Sequence, residues 1–185
     1  MAVASSPRQE RFEAIYSENR LAVLAYCSRR VGSVDAADAC SEVFLTAWRR
    51  LDDVPLPPKT LPYLYGIAGH IVSNHFRASA RRTRLLAKLS AQAVPAPDQP
   101  DVIVVRKDRE VISALRGLRA KDREIVMLYT WEDLSRDTIA DLMGMTRAAI
   151  DQRIHRSYKR LARMLRPRLE ANSLISSPVT EEGGP

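Results

Sequence analysis

The sequence predicts an all-α protein of two small helical domains joined by a flexible linker, and three observations carry that expectation. Apolar residues recur at three- and four-residue spacing through most of the chain, which lines one face of a helix. No stretch alternates apolar and polar residues over a strand's length. Between two such helical regions, residues 87–101 contain Ala93-Val94-Pro95-Ala96-Pro97-Asp98-Gln99-Pro100, which cannot propagate a helix and brings little bulk to a core.

The elements follow in order. Arg8 to Val31 carries Phe12, Ile15, Tyr16, Leu24 and Cys27 at helical spacing, and Gly32-Ser33 offers a stop. Asp35 to Leu51 is the expected second helix. Pro55, Pro57 and Pro58 force Asp53 to Thr60 into a loop. A long helix restarts at Leu61 and runs to about Arg84, with Leu64, Ile67, Ala68, Ile71 and Val72 inward. After the linker, Val102 to Gly117 and Lys121 to Thr130 form two more helices. Leu134 to Arg168 then reads as a helix-turn-helix. Ile139, Ala140 and Leu142 give its short first helix a buried side, Gly144 can take the positive φ of the turn, and Thr146 can cap the second helix. On that second helix Ile150, Ile154, Leu161 and Leu165 share a face. The expected organisation is a first domain at 8–86, the linker at 87–101, a second domain at 102–169, and a disordered tail at 170–185 rich in Ser, Thr, Gly, Pro and Glu.

Composition narrows the function. At 185 residues and 45% hydrophobic content, the chain can bury real cores. No apolar run approaches the roughly 18 residues of a membrane span, and the first ten residues lack the apolar middle of a signal peptide, so a cytoplasmic protein without membrane insertion is expected. Cys27 and Cys40 have no second Cys or His at ligand spacing and read as buried, reduced thiols. His70, His75 and His155 are scattered over helical faces, and no Gly-rich phosphate loop, metal-ligand cluster or nucleophile-base pair is visible. Neither catalysis nor a cofactor nor a metal is expected.

The distribution of charge says more than its net value of +7. Between Thr146 and Arg168 eight basic residues face Asp151 alone, and they fall largely off the apolar face of the helix. From Val54 through Pro97 there is no Asp or Glu, against Lys59, Arg77, Arg81, Arg82, Arg84 and Lys88. Asp35 to Asp53 is the converse, with Asp35, Asp38, Glu42, Asp52 and Asp53 against Arg49 and Arg50. Two separate basic surfaces and one acidic one are the signature of a chain that attracts phosphate at two places and repels it at a third.

Over roughly Phe12 to Leu169 the chain resembles the extracytoplasmic-function group of bacterial sigma factors, the smallest members of the sigma-70 family. Ala37, Asp38, Glu42, Phe44 and Trp48 reproduce that family's Ala-Asp-x-x-Gln-Glu-x-Phe-x-x-x-Trp helix, with Ser41 in the Gln position. Tyr63-Leu64-Tyr65-Gly66-Ile67-Ala68-Gly69-His70 matches its Trp-Leu-Tyr-x-Ile-Ala-x-Asn helix, Tyr63 and His70 being departures and Asn74 following one turn later. Leu118 and Arg123-Glu124 open a segment like the family's minus-thirty-five reader, in which Arg119 replaces a usual Pro, Thr138 a usual Glu and Asp151 a usual Lys.

The resemblance implies a factor that binds core RNA polymerase, through the clamp helices of the beta-prime subunit and the flap of the beta subunit, and that reads promoter DNA. It also admits an anti-sigma factor as a partner. Implied polymerase contacts are Asp38, Glu42, Phe44 and Trp48, although ordinary packing is the better explanation for Phe44 and Trp48, and the two carboxylates, costlier to bury, are the stronger candidates for contact. Implied minus-ten contacts are Lys59, Tyr63, His70, Asn74, His75 and Arg77, whose other reading is a solvated polar face. Implied minus-thirty-five contacts are Thr146, Arg147, Asp151, Gln152, Arg153, Arg156 and Lys159. Asp151 either accepts from a cytosine amino group or orients a neighbouring Arg. A conventional helix-turn-helix regulator with an N-terminal sensing or dimerisation domain is the alternative.

Overall fold

The structure, a computed structural model, describes the backbone of residues 6–89 and 106–175 and the side chains of residues 6–86 and 110–165. It separates into two compact units, Met1–Ile103 and Val104–Pro185, and every regular element among the described residues is helical.

In the first unit, α1 spans Pro7–Val31. Ser6 sits in the extended region and its side chain accepts from the Arg8 N–H at 3.3 Å, while Pro7 occupies a first-turn position where a missing donor costs nothing. The Gly32 N–H donates to Ser28 O, and α2 (Ser33–Arg49) leaves directly from that glycine. The second helix stops short of the expected Leu51. Leu51 instead opens a 3-10 turn, Leu51–Asp53, which tucks Leu51 and Val54 into the core. Arg11 of α1 donates to Val54 O at 2.6 Å, and Thr60 Oγ1 donates to Pro55 O at 2.8 Å, so the proline loop is fastened at both ends.

The long helix α3 covers Thr60–Leu89. It continues past the expected linker start at residue 87, because Leu85, Leu86 and Ala87 are good helix formers and the nearest helix breaker is Pro95. The rest of the expected linker lies outside the described residues. Each of the three helices packs on the other two. Val23 and Tyr26 of α1, Val43 and Ala47 of α2, and Leu64 and Ala68 of α3 are almost wholly removed from water. Ile67 and Ile71, expected inward, are half-buried on the rim of this core. Tyr26 stacks on Tyr65 with ring centroids 4.9 Å apart. A Cβ at Gly69 would stand 3.3 Å from the Tyr26 hydroxyl, so a glycine there lets α1 and α3 approach.

The second unit is built on α7 (Arg147–Ile175), against which α4 (Arg106–Arg116), α5 (Ala120–Thr130) and α6 (Arg136–Met143) all pack. Its buried side chains include Leu115, Leu118, Ile125, Val126, Ile139, Ile150, Ile154 and Leu161. Fully burying an aliphatic side chain of this size contributes about 1.5–3 kcal/mol, so the apolar face of α7 outweighs any single surface contact in holding the unit together. Helix α7 runs to Ile175, through the first residues of the expected disordered tail, since Leu169, Glu170 and Ala171 favour helix and the nearest breaker downstream is Pro178. Residues 176–185 lie outside the described residues.

Candidate nucleic-acid interface

A helix advances about 100° per residue, so positions three, four and seven apart share a face. On α3 the buried residues Leu64, Ala68 and Val72 define the inner face. Tyr63, His70, Asn74 and Arg77 fall on the opposite face, together with Arg81 and Arg84, and all but the half-buried Tyr63 are exposed. One stripe of the helix thus offers two flat rings, an amide and three guanidinium groups with no acid among them. Lys59 is exposed one residue before the helix begins.

His75 does not belong to this stripe. It lies on the inner side of α3, where its Nε2 is 3.3 Å from Asp35 Oδ2 of α2, while its Nδ1 is enclosed without a hydrogen-bond partner. The side chain clasps two helices of the first unit.

The acidic side of that unit is α2. Asp38 and Glu42 are exposed on the face turned away from the buried Ala39, Val43 and Ala47, beside Leu45 and Arg49. Phe44 is buried, 4.8 Å centroid to centroid from Tyr16 and 6.5 Å from Phe12. Trp48 is partly exposed; it meets Phe12 edge-on at 5.1 Å and lies under the Arg8 guanidinium at 5.4 Å. Arg8 in turn donates to both Asp52 carboxylate oxygens and to Trp48 O. Packing therefore accounts for Phe44 entirely and for one side of Trp48.

In the second unit the helix-turn-helix forms as its turn residues dictate. Ser135 caps α6 by accepting from the Thr138 N–H at 3.1 Å. Gly144 takes φ 60° and ψ 44°, the left-handed conformation that ends a helix, and the Met145 N–H reaches back to Ala140 O. Thr146 accepts from the Ala149 N–H at 3.3 Å and so caps α7. Ile150, Ile154, Ser157 and Leu161 then face the core. The opposite stripe is Ala148, Gln152, His155, Arg156, Lys159 and Arg163, every one of them exposed. Expectation from the sequence did not include His155 in this interface, although its spacing from Gln152 and Lys159 assigns it to the same face.

Three expected readers are engaged by neighbouring side chains. Arg153 turns towards α5 and donates to Asp122, with the two side chains only 29% and 21% exposed. Arg147 and Asp151 belong to an ion cluster at the mouth of the turn: Arg147 pairs with Asp137 of α6 and, at 3.8 Å, with Asp151, whose other oxygen is 3.3 Å from Arg136 Nε. Of the two readings of Asp151, the structure supplies the arginine partners of the second.

Among the described residues no group of acids, histidines and cysteines could hold a metal ion, and no helix is long and apolar enough to cross a membrane.

Comparison with known proteins bears directly on these surfaces. The family description "Sigma-70 region 2" matches residues 15–82, and "Sigma-70, region 4" matches residues 108–161. The chain is 34% identical over 149 residues to the ECF RNA polymerase sigma factor SigD of Mycobacterium tuberculosis, covering 75% of this chain and 69% of that protein. It is 26% identical over 147 residues to the probable RNA polymerase sigma factor RfaY of Xanthomonas campestris, covering 76% of this chain but only 36% of RfaY, so it spans about a third of that relative. In fold it is similar to the sigma factor RpoE, solved with the anti-sigma factor NepR from Bartonella quintana, with a TM-score of 0.63, 19% identity, and 85% of this chain and 98% of that one covered. It is also similar to CnrH, solved with the cytosolic domain of CnrY, with a TM-score of 0.60, 23% identity, and 86% and 90% covered.

Proposed function

The chain belongs to the extracytoplasmic-function group of the sigma-70 family, and from that membership we propose how its residues divide the work of directing core RNA polymerase to promoters. The observation that carries the proposal is the pair of acid-poor helical stripes, one on α3 and one on α7, in separate units of one chain. A conventional regulator needs one DNA-facing helix; a sigma factor, which holds two promoter elements, needs two.

On this reading, residues 8–86 form the unit that meets the minus-ten element, through the α3 stripe of Tyr63, His70, Asn74 and Arg77 with Lys59 beside it. Aromatic and imidazole rings stack on bases once strands separate, and the Asn74 amide can bond a base edge. Asp38 and Glu42 on α2 meet the polymerase clamp, as exposed carboxylates suited to a basic partner, whereas Phe44 packs the core. Residues 102–169 form the minus-thirty-five reader, in which Gln152, His155, Arg156 and Lys159 approach the major groove. Residues 87–101 link the two, which raises the effective concentration of each reader once the other has docked.

The chain carries no chemistry of its own; phosphodiester bond formation belongs to the polymerase, whose company also makes the cytoplasm its place of action. By analogy with the complexes of RpoE and CnrH, an anti-sigma protein is a further partner.

Reconstitution tests this directly. Purified chain plus core polymerase should start transcripts at defined sites on a genomic DNA library, while neither component does so alone. Asp38→Lys with Glu42→Lys should weaken binding to core without unfolding the chain. Failure of the unaltered chain to bind core polymerase overturns the proposal, and unchanged affinity in the charge-reversed variant moves the contact away from α2.

A further inference from the structure

The ion cluster at the mouth of the turn has an unusual composition. Arg136 is the first residue of α6 and Arg147 the first residue of α7. A cation at a helix N-terminus faces the positive end of the helix dipole, which disfavours it by a few tenths of a kcal/mol or more. Two acids offset that cost. Asp137 pairs with Arg147, and Asp151, one turn along α7, pairs with Arg147 on one oxygen and with Arg136 on the other. Arg136 is held from its other side as well: its Nη2 donates to the Tyr129 hydroxyl at 3.3 Å, and its guanidinium lies 5.2 Å from the Tyr129 ring centroid. Arg136 Nε and Asp151 Oδ1, 3.3 Å apart, are both enclosed away from solvent and meet as an ion pair without a hydrogen bond between them. Two arginines and two aspartates make the cluster neutral, while the Arg147 side chain keeps 53% of its surface exposed at the first residue of α7.

We infer that Asp151 is a positioning residue, which reads no base itself and instead holds the Arg147 guanidinium, through Arg136 and Tyr129 behind it, in one preset orientation for promoter DNA. This rests on the reading of α7 as the minus-thirty-five helix. Two features of the geometry carry it. Asp151 lies about a quarter-turn away from the stripe centred on Gln152 and Lys159, on the flank facing α6, whereas Arg147 opens α7 at the N-terminal end that a recognition helix turns to base edges. Its Oδ1 is shut off from solvent beside Arg136 Nε and its Oδ2 lies 3.8 Å from Arg147 Nε, so the carboxylate is directed at the two arginines and not outward at a base. A preset guanidinium gives up little rotamer freedom on binding, so its fork can discriminate between bases; a free one would settle on the nearest phosphate. The neutral cluster also means that the first turn of α7 adds selectivity without adding general attraction, which is left to Arg156, Lys159 and Arg163.

The test uses the full chain assembled with core polymerase and a DNA duplex library randomised only over the upstream element. Unaltered chain, Asp151→Asn, Arg147→Ala and the double variant are each put through selection, and their thermal unfolding is compared. The expected result is that Asp151→Asn loses roughly tenfold of base discrimination at the same positions as Arg147→Ala, and that the double variant loses no more than either single one. Binding by Asp151→Asn should also depend more steeply on salt, by about one unit of slope, as the released arginine takes a phosphate. Asp151→Glu, which keeps the charge, should recover most of the discrimination. Additive losses, with Asp151→Asn erasing preference at a base pair that Arg147→Ala leaves alone, would overturn the inference in favour of direct reading by Asp151. Unchanged preferences in Asp151→Asn would overturn it as well. If even the unaltered holoenzyme enriches no upstream element, the reading of α7 fails, and the inference fails with it.

Discussion

Arg153 and Arg156 are less than one turn apart on α7 and carry the same group, yet their surroundings give them different work. The Arg153 guanidinium is spent on Asp122 of α5 in a mostly enclosed pair. Arg153→Ala should therefore cost about 1.5–3 kcal/mol of stability in the second unit, the usual worth of a hydrogen bond to a charged group, and weaken all DNA sequences alike. Arg156 is exposed and unencumbered on the outward stripe. Arg156→Ala should leave the melting temperature nearly unchanged and cost about 1–3 kcal/mol of binding to the preferred upstream element if it contacts a base edge. Urea unfolding and binding titrations over a range of salt, run on both variants, separate the two roles; a melting temperature lowered more in Arg156→Ala than in Arg153→Ala would reverse the assignment. At the same scale, burial pushes the Cys40 thiol up from its ordinary value, against a smaller opposing pull from Arg20. A raised value means less Cys40 thiolate at any given pH, and Cys27 is wholly buried, so a thiol reagent at pH 8 should leave both cysteines of the native chain nearly unreacted and titrate two in urea. Prompt reaction of the native chain would contradict this.

At the scale of the element, the helix-turn-helix depends on one backbone conformation. Gly144 sits at φ 60°, and a Cβ added there would meet no atom within 4 Å, so strain alone sets the effect of a side chain. Gly144→Ala should destabilise the second unit by about 1 kcal/mol, with Gly144→Asn costing less because Asn tolerates the left-handed region. In a Trp48→Phe background Trp131 is the remaining tryptophan, so its fluorescence during urea unfolding follows the second unit. Equal stability of the Ala variant would mean that the turn adapts. The α3 helix has a different logic: its inner face is packed tightly enough to fix rotation about the helix axis, and that rotation alone decides which polar residues look outward. His70, Asn74 and Arg77 do; His75, one residue from Asn74, is turned inward onto Asp35.

For the whole molecule, two units with two stripes predict separable defects. His70→Ala with Asn74→Ala should leave recruitment of holoenzyme to duplex promoter nearly intact and slow strand opening, because stacking and base-edge contacts exist only after the strands part. Permanganate footprinting follows opening, and gel-shift titration follows recruitment. Arg156→Ala should do the reverse, weakening recruitment while leaving opening of already bound promoter unaffected. Opening at the unaltered rate in the first variant would mean that the α3 stripe is merely solvated.

The sequence by itself determined the helical class, the turn at Gly144, the cap at Thr146, the core positions Ile150, Ile154 and Leu161, and the two acid-poor stretches, because each follows from local spacing or from a backbone preference of a single residue type. It also carried the family motifs around Asp38 and Glu42. Tertiary structure alone decided which charges are free. Beyond the Arg147–Asp151 spacing of four, nothing in local sequence marks Arg153, Arg147 and Asp151 as engaged, since Asp122, Asp137 and Arg136 reach them from other helices. His75 is the same case across α2 and α3. Helical periodicity fixes the direction in which a side chain leaves its own helix, but the partner that neutralises its charge arrives from a distant part of the chain, brought there only by the packing of the apolar faces.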